Sequence, residues 1–146
     1  MDKSEIVKRV ERLLKDSKNV VMVLSTDSNC KPHGRYMDCT KDKNGLALYF
    51  ATFVNTEKVG QIKSNQNIEV IVTSKDLNEV ANLDGTAGFL NPENEKEFSN
   101  KKSFLISRFS GLDIDNIIIM KFVPKAIKYL NQKDILRPLP IYNVTL

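Results

Sequence analysis

The sequence predicts a mainly β protein, an antiparallel β-barrel with peripheral α-helices. Three observations carry that expectation: several segments alternate apolar and polar residues with period two, turn-forming clusters separate them, and few helical segments intervene, as a parallel α/β sheet would need. Composition permits a core, since 41% of the 146 residues are hydrophobic and 27% charged, with six Gly and five Pro. This is ordinary for one compact domain over residues 1–146. A chain of this length buries about 68–70% of the surface its unfolded form exposes. Cys30 and Cys39 can therefore remain free thiols.

From the amino terminus, Ile6, Val7, Val10, Leu13 and Leu14 fall at helical spacing with Lys and Glu between them, so residues 4–16 read as an amphipathic helix with Ser4 as its cap. Val20 to Thr26 is an apolar, β-branched run; Asp27-Ser28-Asn29 then turns the chain into an extended segment from Lys31 to Thr40. After the Asn44-Gly45 turn, Leu46, Leu48 and Phe50 alternate with Ala47, Tyr49 and Ala51, giving three antiparallel strands in a row. Residues 56–64 switch to helical spacing, with Val59 and Ile62 apolar, before period two returns at Ile68, Val70 and Val72.

Glu79 to Leu90 reads as one long strand in which Gly85 and Gly88 allow a bend or a close backbone approach. Asn91-Pro92-Glu93 starts a polar helix to about Lys101. Residues 116–123 and 126–131 read as a final pair of strands hinged at Pro124, and the two-proline tail from Asp134 to Leu146 as a segment free to lie against a partner.

The charged first 17 residues lack the apolar stretch of a secretion signal, and the most apolar run, Ile117 to Met120, is far short of a membrane span. A soluble cytoplasmic protein, away from membranes, is the expectation. The net charge of +4, from 22 basic and 18 acidic residues, is modest. Without a basic block or a platform of interleaved aromatic and basic residues, nucleic acid is not an expected partner.

With His33 the only histidine, multi-histidine metal chemistry is excluded, and no metal is expected. Cys30 and Cys39 lack CxxC spacing, and neither GxGxxG nor GxxxxGK[ST] occurs. A Cys/His nucleophile built on His33 competes with a plain surface histidine beside a turn. The remaining set is basic and hydroxylic: Arg35 on the second strand, Thr52 ending the third, Thr56 and Lys58 opening the crossing helix. A helix start offers unpaired N–H groups and partial positive charge, which suit a phosphate, and an arginine nearby can clamp it bidentately. In the plainer alternative, Thr56 caps the helix and Lys58 is solvated.

At these residues the chain resembles the FMN-binding split-barrel family of pyridoxamine 5'-phosphate oxidase-like proteins, particularly its general-stress-protein branch. Asn29-Cys30-Lys31-Pro32-His33-Gly34-Arg35-Tyr36-Met37 is similar to the family's turn and Arg-x-(Met/Val) strand, and Tyr49-Phe50-Ala51-Thr52 to its aromatic-x-Thr strand. Thr56-Glu57-Lys58 is similar to the (Ser/Thr)-x-Lys phosphate motif, Asn65 to Val72 to the following strand, and Val123 to Leu130 to the closing hairpin. The resemblance implies a six-stranded antiparallel split barrel, forming a homodimer with an FMN in each of two interface clefts. It places Arg35, Thr56 and Lys58 at phosphate-contacting positions, Thr52 near the phosphate and ribityl chain, and Tyr36 and Met37 on the strand bordering the flavin ring. The count of apolar strand faces, too many for one barrel interior, agrees with a dimer.

Two departures narrow the implied activity. The family's oxidases commonly carry arginine between the Ser and Lys of the phosphate motif, where this chain has Glu57, which weakens the expected phosphate affinity. They also hold pyridoxamine with a carboxy-terminal Trp and an Arg-Leu-His sequence; here there is no Trp, and the tail reads Arg137-Pro138-Leu139-Pro140. Pyridoxamine 5'-phosphate oxidase activity itself is thus not expected. The two open functions are a flavin-dependent oxidoreductase with an unassigned substrate and a non-catalytic binder of flavin or another anionic cofactor, with deazaflavin and haem as alternatives to FMN.

Overall fold

A computed structural model describes residues 1–90, 116–134, 136 and 138–146. The helix expected near residues 91–101 lies outside the described residues. The elements are α1 (Lys3–Asp16), β1 (Val20–Thr26), β2 (Pro32–Asp38), β3 (Thr40–Lys41), β4 (Leu48–Phe53), α2 (Glu57–Ser64), β5 (Asn67–Thr73), β6 (Glu79–Phe89), β7 (Ile117–Asn131) and β8 (Ile141–Thr145). The strands join in one antiparallel sheet ordered β2-β1-β5-β6-β7-β4-β3, with β8 added to β7. This is the mainly β, curled split-barrel architecture expected. Among the described residues there are eight strands rather than six, because the two-residue β3 and the carboxy-terminal β8 add to the principal six.

The period-two residues divide as the pleat requires. Val23, Val70, Leu83 and Ile127 are mutual cross-strand neighbours, and all four are fully buried in the interior. Helix α1 closes this core: Ile6, Val10, Leu13 and Leu14 lie on one helical stripe and are buried in the same cluster. Its cap is Asp2 rather than Ser4, because Asp2 holds the extended position before the first turn and its carboxylate accepts from the Glu5 N–H at 2.8 Å. No helix among the described residues is long and apolar enough to cross a membrane.

The structure corrects three further expectations. The third period-two segment, β4, meets the preceding chain only at the two-residue β3, which it pairs across the Asn44-Gly45 turn, and makes its long ladder with β7 rather than with β2. Its unbroken apolar run reflects burial on both faces: Leu48 and Phe50 point inward, while Tyr49 packs outside with Ile119. The final strands are one 15-residue strand, β7, that runs through Pro124. The tail supplies β8, which pairs with β7 of its own chain from Ala126↔Thr145 to Leu130↔Ile141.

Passage of a strand through proline depends on Gly85. The β6–β7 register shifts between Asp84 and Gly85, where Gly85 faces Pro124. A Cβ on Gly85 would sit 2.2 Å from the Val123 carbonyl oxygen and 2.8 Å from the Pro124 Cα. Gly88, three residues on, has no such neighbour within 4 Å. Gly85→Ala is expected to destabilise the fold by about 1–3 kcal/mol or more through backbone displacement. Gly88→Ala should stay within about 1 kcal/mol of wild type. Denaturant unfolding of both variants checks the pair, and equal midpoints would contradict the close approach.

Candidate functional site

Along β1, Val21, Val23 and Ser25 occupy the inward phase, so the third inward position of an otherwise apolar strand is a hydroxyl. The β1–β2 register sets Val23 opposite Arg35 and Ser25 opposite His33, which brings Arg35 onto the same interior side. Helix α2 packs Val59 and Ile62 into the barrel, and this contact fixes the flank carrying Lys58 and Gln61, three residues apart and hence neighbours on the helix.

These elements meet in a polar triangle. Arg35 donates from Nη1 to Ser25 Oγ at 2.7 Å and from Nη2 to Gln61 Oε1 at 3.3 Å, while Ser25 Oγ donates to Gln61 Oε1 at 2.7 Å. A longer Nη1 contact reaches the Val23 carbonyl at 3.5 Å. Ser25 is 2% exposed, so its hydroxyl would be costly to leave unpaired, and the triangle satisfies it.

Lys58 is half-buried beside this guanidinium. Desolvation, and secondarily the positive charge of Arg35, hold its ammonium pKa below the usual lysine value; burial likewise lowers that of Arg35. No carboxylate pairs with either group among the described residues. Thr56 occupies the N-cap position of α2, but its hydroxyl donates backward to the Phe53 carbonyl at 3.0 Å and makes no side-chain cap. The Val59 N–H bonds the Thr56 carbonyl at 3.2 Å, while those of Glu57 and Lys58 have no partner among the described residues and keep their binding capacity. The Glu57 side chain is exposed.

The six residues singled out from the sequence divide. Arg35 and Lys58 interact, with Thr56 at the start of the helix that carries Lys58. Thr52 is 4% exposed near the end of β4, opposite Ile118 and on the inward side with Leu48 and Phe50. Met37 returns to the interior and packs on the core, whereas Tyr36, between Arg35 and Met37, faces the other way and is 74% exposed. Sequence reasoning missed Ser25 and Gln61. Their signals were a polar residue in the inward phase of β1, and an amide one turn beyond Lys58 beside the Val59–Ile62 stripe.

His33 serves the β1–β2 turn. Its Nε2 bonds Asp27 Oδ2 at 2.9 Å, and Asp27 also accepts the N–H groups of Asn29 and Lys31. The bond from His33, then those from the backbone, hold the Asp27 carboxyl below the usual carboxylate range. An open cavity of about 440 Å³ touches the polar triangle through Ser25, which lines it together with Leu24, Thr26, Pro32 and Lys125. Its wall also carries Glu69 and Asp84, opposed across the β5–β6 ladder. Two facing carboxylates disfavour an anion on that wall.

Comparison with known proteins bears on the family and the fold. The family model described as "Pyridoxamine 5'-phosphate oxidase like" matches residues 5–135. General stress protein 26 of Bacillus subtilis (strain 168) is 29% identical over 133 residues, covering 90% of this chain and 92% of that protein. A solved Clostridium acetobutylicum structure, of a protein related to general stress protein 26, superposes with a TM-score of 0.76 at 20% identity, over 100% of this chain and 97% of that one. A pyridoxamine 5'-phosphate oxidase-related, FMN-binding protein from Nostoc punctiforme shares the fold at a TM-score of 0.71 and 9% identity, over 95% of each chain. With the sheet order, the motif residues on β2, β4 and α2, and a family match over residues 5–135, the chain belongs to the pyridoxamine 5'-phosphate oxidase-like family.

Proposed function

We propose that the chain is an FMN-binding flavoprotein, acting as a homodimer in flavin-dependent oxidation or reduction of a small molecule. The observation that carries this reading is the pairing of two half-buried cations, Arg35 and Lys58, with no carboxylate against either among the described residues. Such a pair is unfavourable alone and is relieved by an anion between them. Two cations beside a helix start suit one terminal phosphate, and the sequence lacks the glycine-rich turn that cradles a pyrophosphate; FMN is therefore favoured over FAD and over phosphate-free riboflavin. Among the fold neighbours, the Nostoc punctiforme protein is FMN-binding by description.

When bound, the flavin supplies the redox chemistry. The protein's part is to hold the phosphate with Arg35 and Lys58, to offer the free N–H groups of α2, and to present the β2 strand at Tyr36 and Met37 to the ring. Self-association is supported by the outer face of the β1–β2 hairpin at the sheet's end, where Val20 is 39% and Tyr36 74% exposed beside the half-buried Met22 and Leu24. An apolar strip on an end hairpin is an expected site for pairing with a second copy.

Fluorescence quenching by FMN and riboflavin tests the phosphate assignment. Wild type should bind FMN at least about tenfold more tightly than riboflavin, and Lys58→Ala or Arg35→Ala should weaken FMN alone, by about ten- to a hundredfold. Equal affinities in wild type would overturn the assignment. Anaerobic addition of NADH or NADPH then separates an oxidoreductase, whose flavin bleaches, from a non-catalytic binder.

Sedimentation at micromolar concentration should show a dimer that persists in high salt and dissociates in Tyr36→Asp. A 16.6 kDa species alone would exclude the dimer.

Glu57 offers an independent probe of the site's position. Unit charges ~6 Å apart interact by about 1–3 kcal/mol at effective dielectrics between water and a protein surface. Glu57→Arg should therefore tighten FMN binding several-fold at low salt, with the gain shrinking at high salt. Unchanged affinity at low salt would place this exposed side chain out of the phosphate's reach.

A further inference from the structure

The polar triangle contains more than is needed to attach a helix to a strand. An arginine half-buried in a protein ordinarily meets a carboxylate, because a charge-assisted pair offsets the loss of water. Here, among the described residues, the guanidinium is held only by neutral oxygens: Ser25 Oγ, Gln61 Oε1 and, at longer range, the Val23 carbonyl. The polarity of these bonds is fixed by chemistry. Arginine has no acceptor, so the Gln61 atom facing it must be the amide oxygen, and Ser25 must give its own proton to that same oxygen.

Donor accounting shows what the triangle leaves over. Of the five guanidinium N–H donors, Nη1 and Nη2 serve Ser25 and Gln61, and Nε–H has no partner among the described residues. The Gln61 amide Nε2 likewise has no described partner. The positive charge of Arg35 is thus held in place with no neutralising partner among the described residues, beside Lys58, which lies one helical turn from Gln61 along α2.

On the reading that Arg35 and Lys58 hold a phosphate, we propose that Gln61, acting with Ser25, is a positioning residue that braces Arg35 with neutral acceptors and so preserves the net positive charge on which anion selectivity depends. A carboxylate in place of the amide would hold the guanidinium equally well, yet it would cancel one of the two charges facing the ligand. Ser25 extends the brace to β1, so helix, strand and hairpin are locked in one arrangement before ligand arrives. This preorganisation lowers the cost of ordering a long side chain on binding.

Charge and geometry are separable at this position, because Gln61→Glu is near-isosteric and retains an oxygen that can accept from both Arg35 and Ser25. The measurement is the ratio of FMN to riboflavin affinity in wild-type and Gln61→Glu protein, with thermal melting as a check on the fold. The expected result is an unchanged melting profile, unchanged riboflavin affinity, and an FMN preference reduced about tenfold or more. A merely structural strut keeps its bonds in Gln61→Glu, so a ratio within about twofold of wild type would overturn the proposal. Should Gln61→Glu fail to fold, Gln61→Met replaces it: loss of the acceptor should loosen Arg35 and lower FMN affinity several-fold with riboflavin unaffected, and an unaltered ratio again overturns the brace. Failure of the underlying phosphate reading is visible separately, as a wild-type protein that does not distinguish FMN from riboflavin, and that result removes the brace's role as well.

Discussion

The meeting of Gly85 with Pro124 is the constraint on which the sheet depends. Strand β7 supports β6 along its whole length, β4 against its first half and β8 against its second. Pairing with β4 ends at Phe122 and pairing with β8 begins at Ala126. Pro124 falls in the gap between them, where its missing N–H removes no ladder bond on that side. Toward β6, the register step from Asp84↔Ala126 to Gly85↔Pro124 leaves Lys125 without an opposite residue. An extra residue of this kind raises local twist, and twist is what a sheet needs to curl into a barrel. The absence of a side chain at Gly85 lets the two backbones close at that step.

Curling in turn determines what the interior can hold. Aliphatic side chains from β1, β5, β6 and β7 fill it, and α1 covers it with one stripe of four residues. The helix is also tied at its rim. Tyr129, itself fully buried, donates its hydroxyl to Glu79 and accepts from Arg9 at 3.3 Å, while Arg12 also binds Glu79. Polar groups at this end are therefore paired with opposite charge, as expected for groups whose role is structural. At α2 the pattern reverses: among the described residues two cations are brought together, and Arg35 bonds only neutral partners. That contrast within one small barrel supports reading the α2 cluster as the proposed binding site and the α1 rim as a structural network.

Much of the fold was legible because it rests on local periodicity. The α1 stripe, the Val20 to Thr26 strand, the crossing helix and the β5–β6 pair were readable from spacing alone, since each exposes a different face to the same core. Pairing partners were less legible. The Asn44-Gly45 turn does pair β4 with the short β3, but β4 is apolar on both faces and takes its long ladder beside β7, where both are covered. Pro124 looked like a break because proline is costly within a ladder; only the bulge and the change of flanking strand show why it is tolerated here. In the site, Arg35 and Lys58 were visible as charges near strand and helix ends. Ser25 and Gln61 were not, because their importance lies in three bonds between elements separated by 10 to 36 positions in the chain.

The tail shows how a departure in sequence becomes a difference in construction. Residues 141–145 complete the flank of β7 that β4 leaves bare, with Tyr142 and Val144 packed on the core. The Tyr142 ring lies 6.4 Å from that of Tyr129, and the Leu146 N–H bonds the carbonyl of Lys125, the residue left over at the bulge. Each of these contacts satisfies something the barrel itself leaves open: an apolar flank, an aromatic neighbour, an orphan carbonyl. A terminal strand employed in this way is committed to its own sheet and is poorly placed to reach over a bound ligand. On the proposed flavin reading, the described elements left to face a substrate are the β1–β2 hairpin and α2.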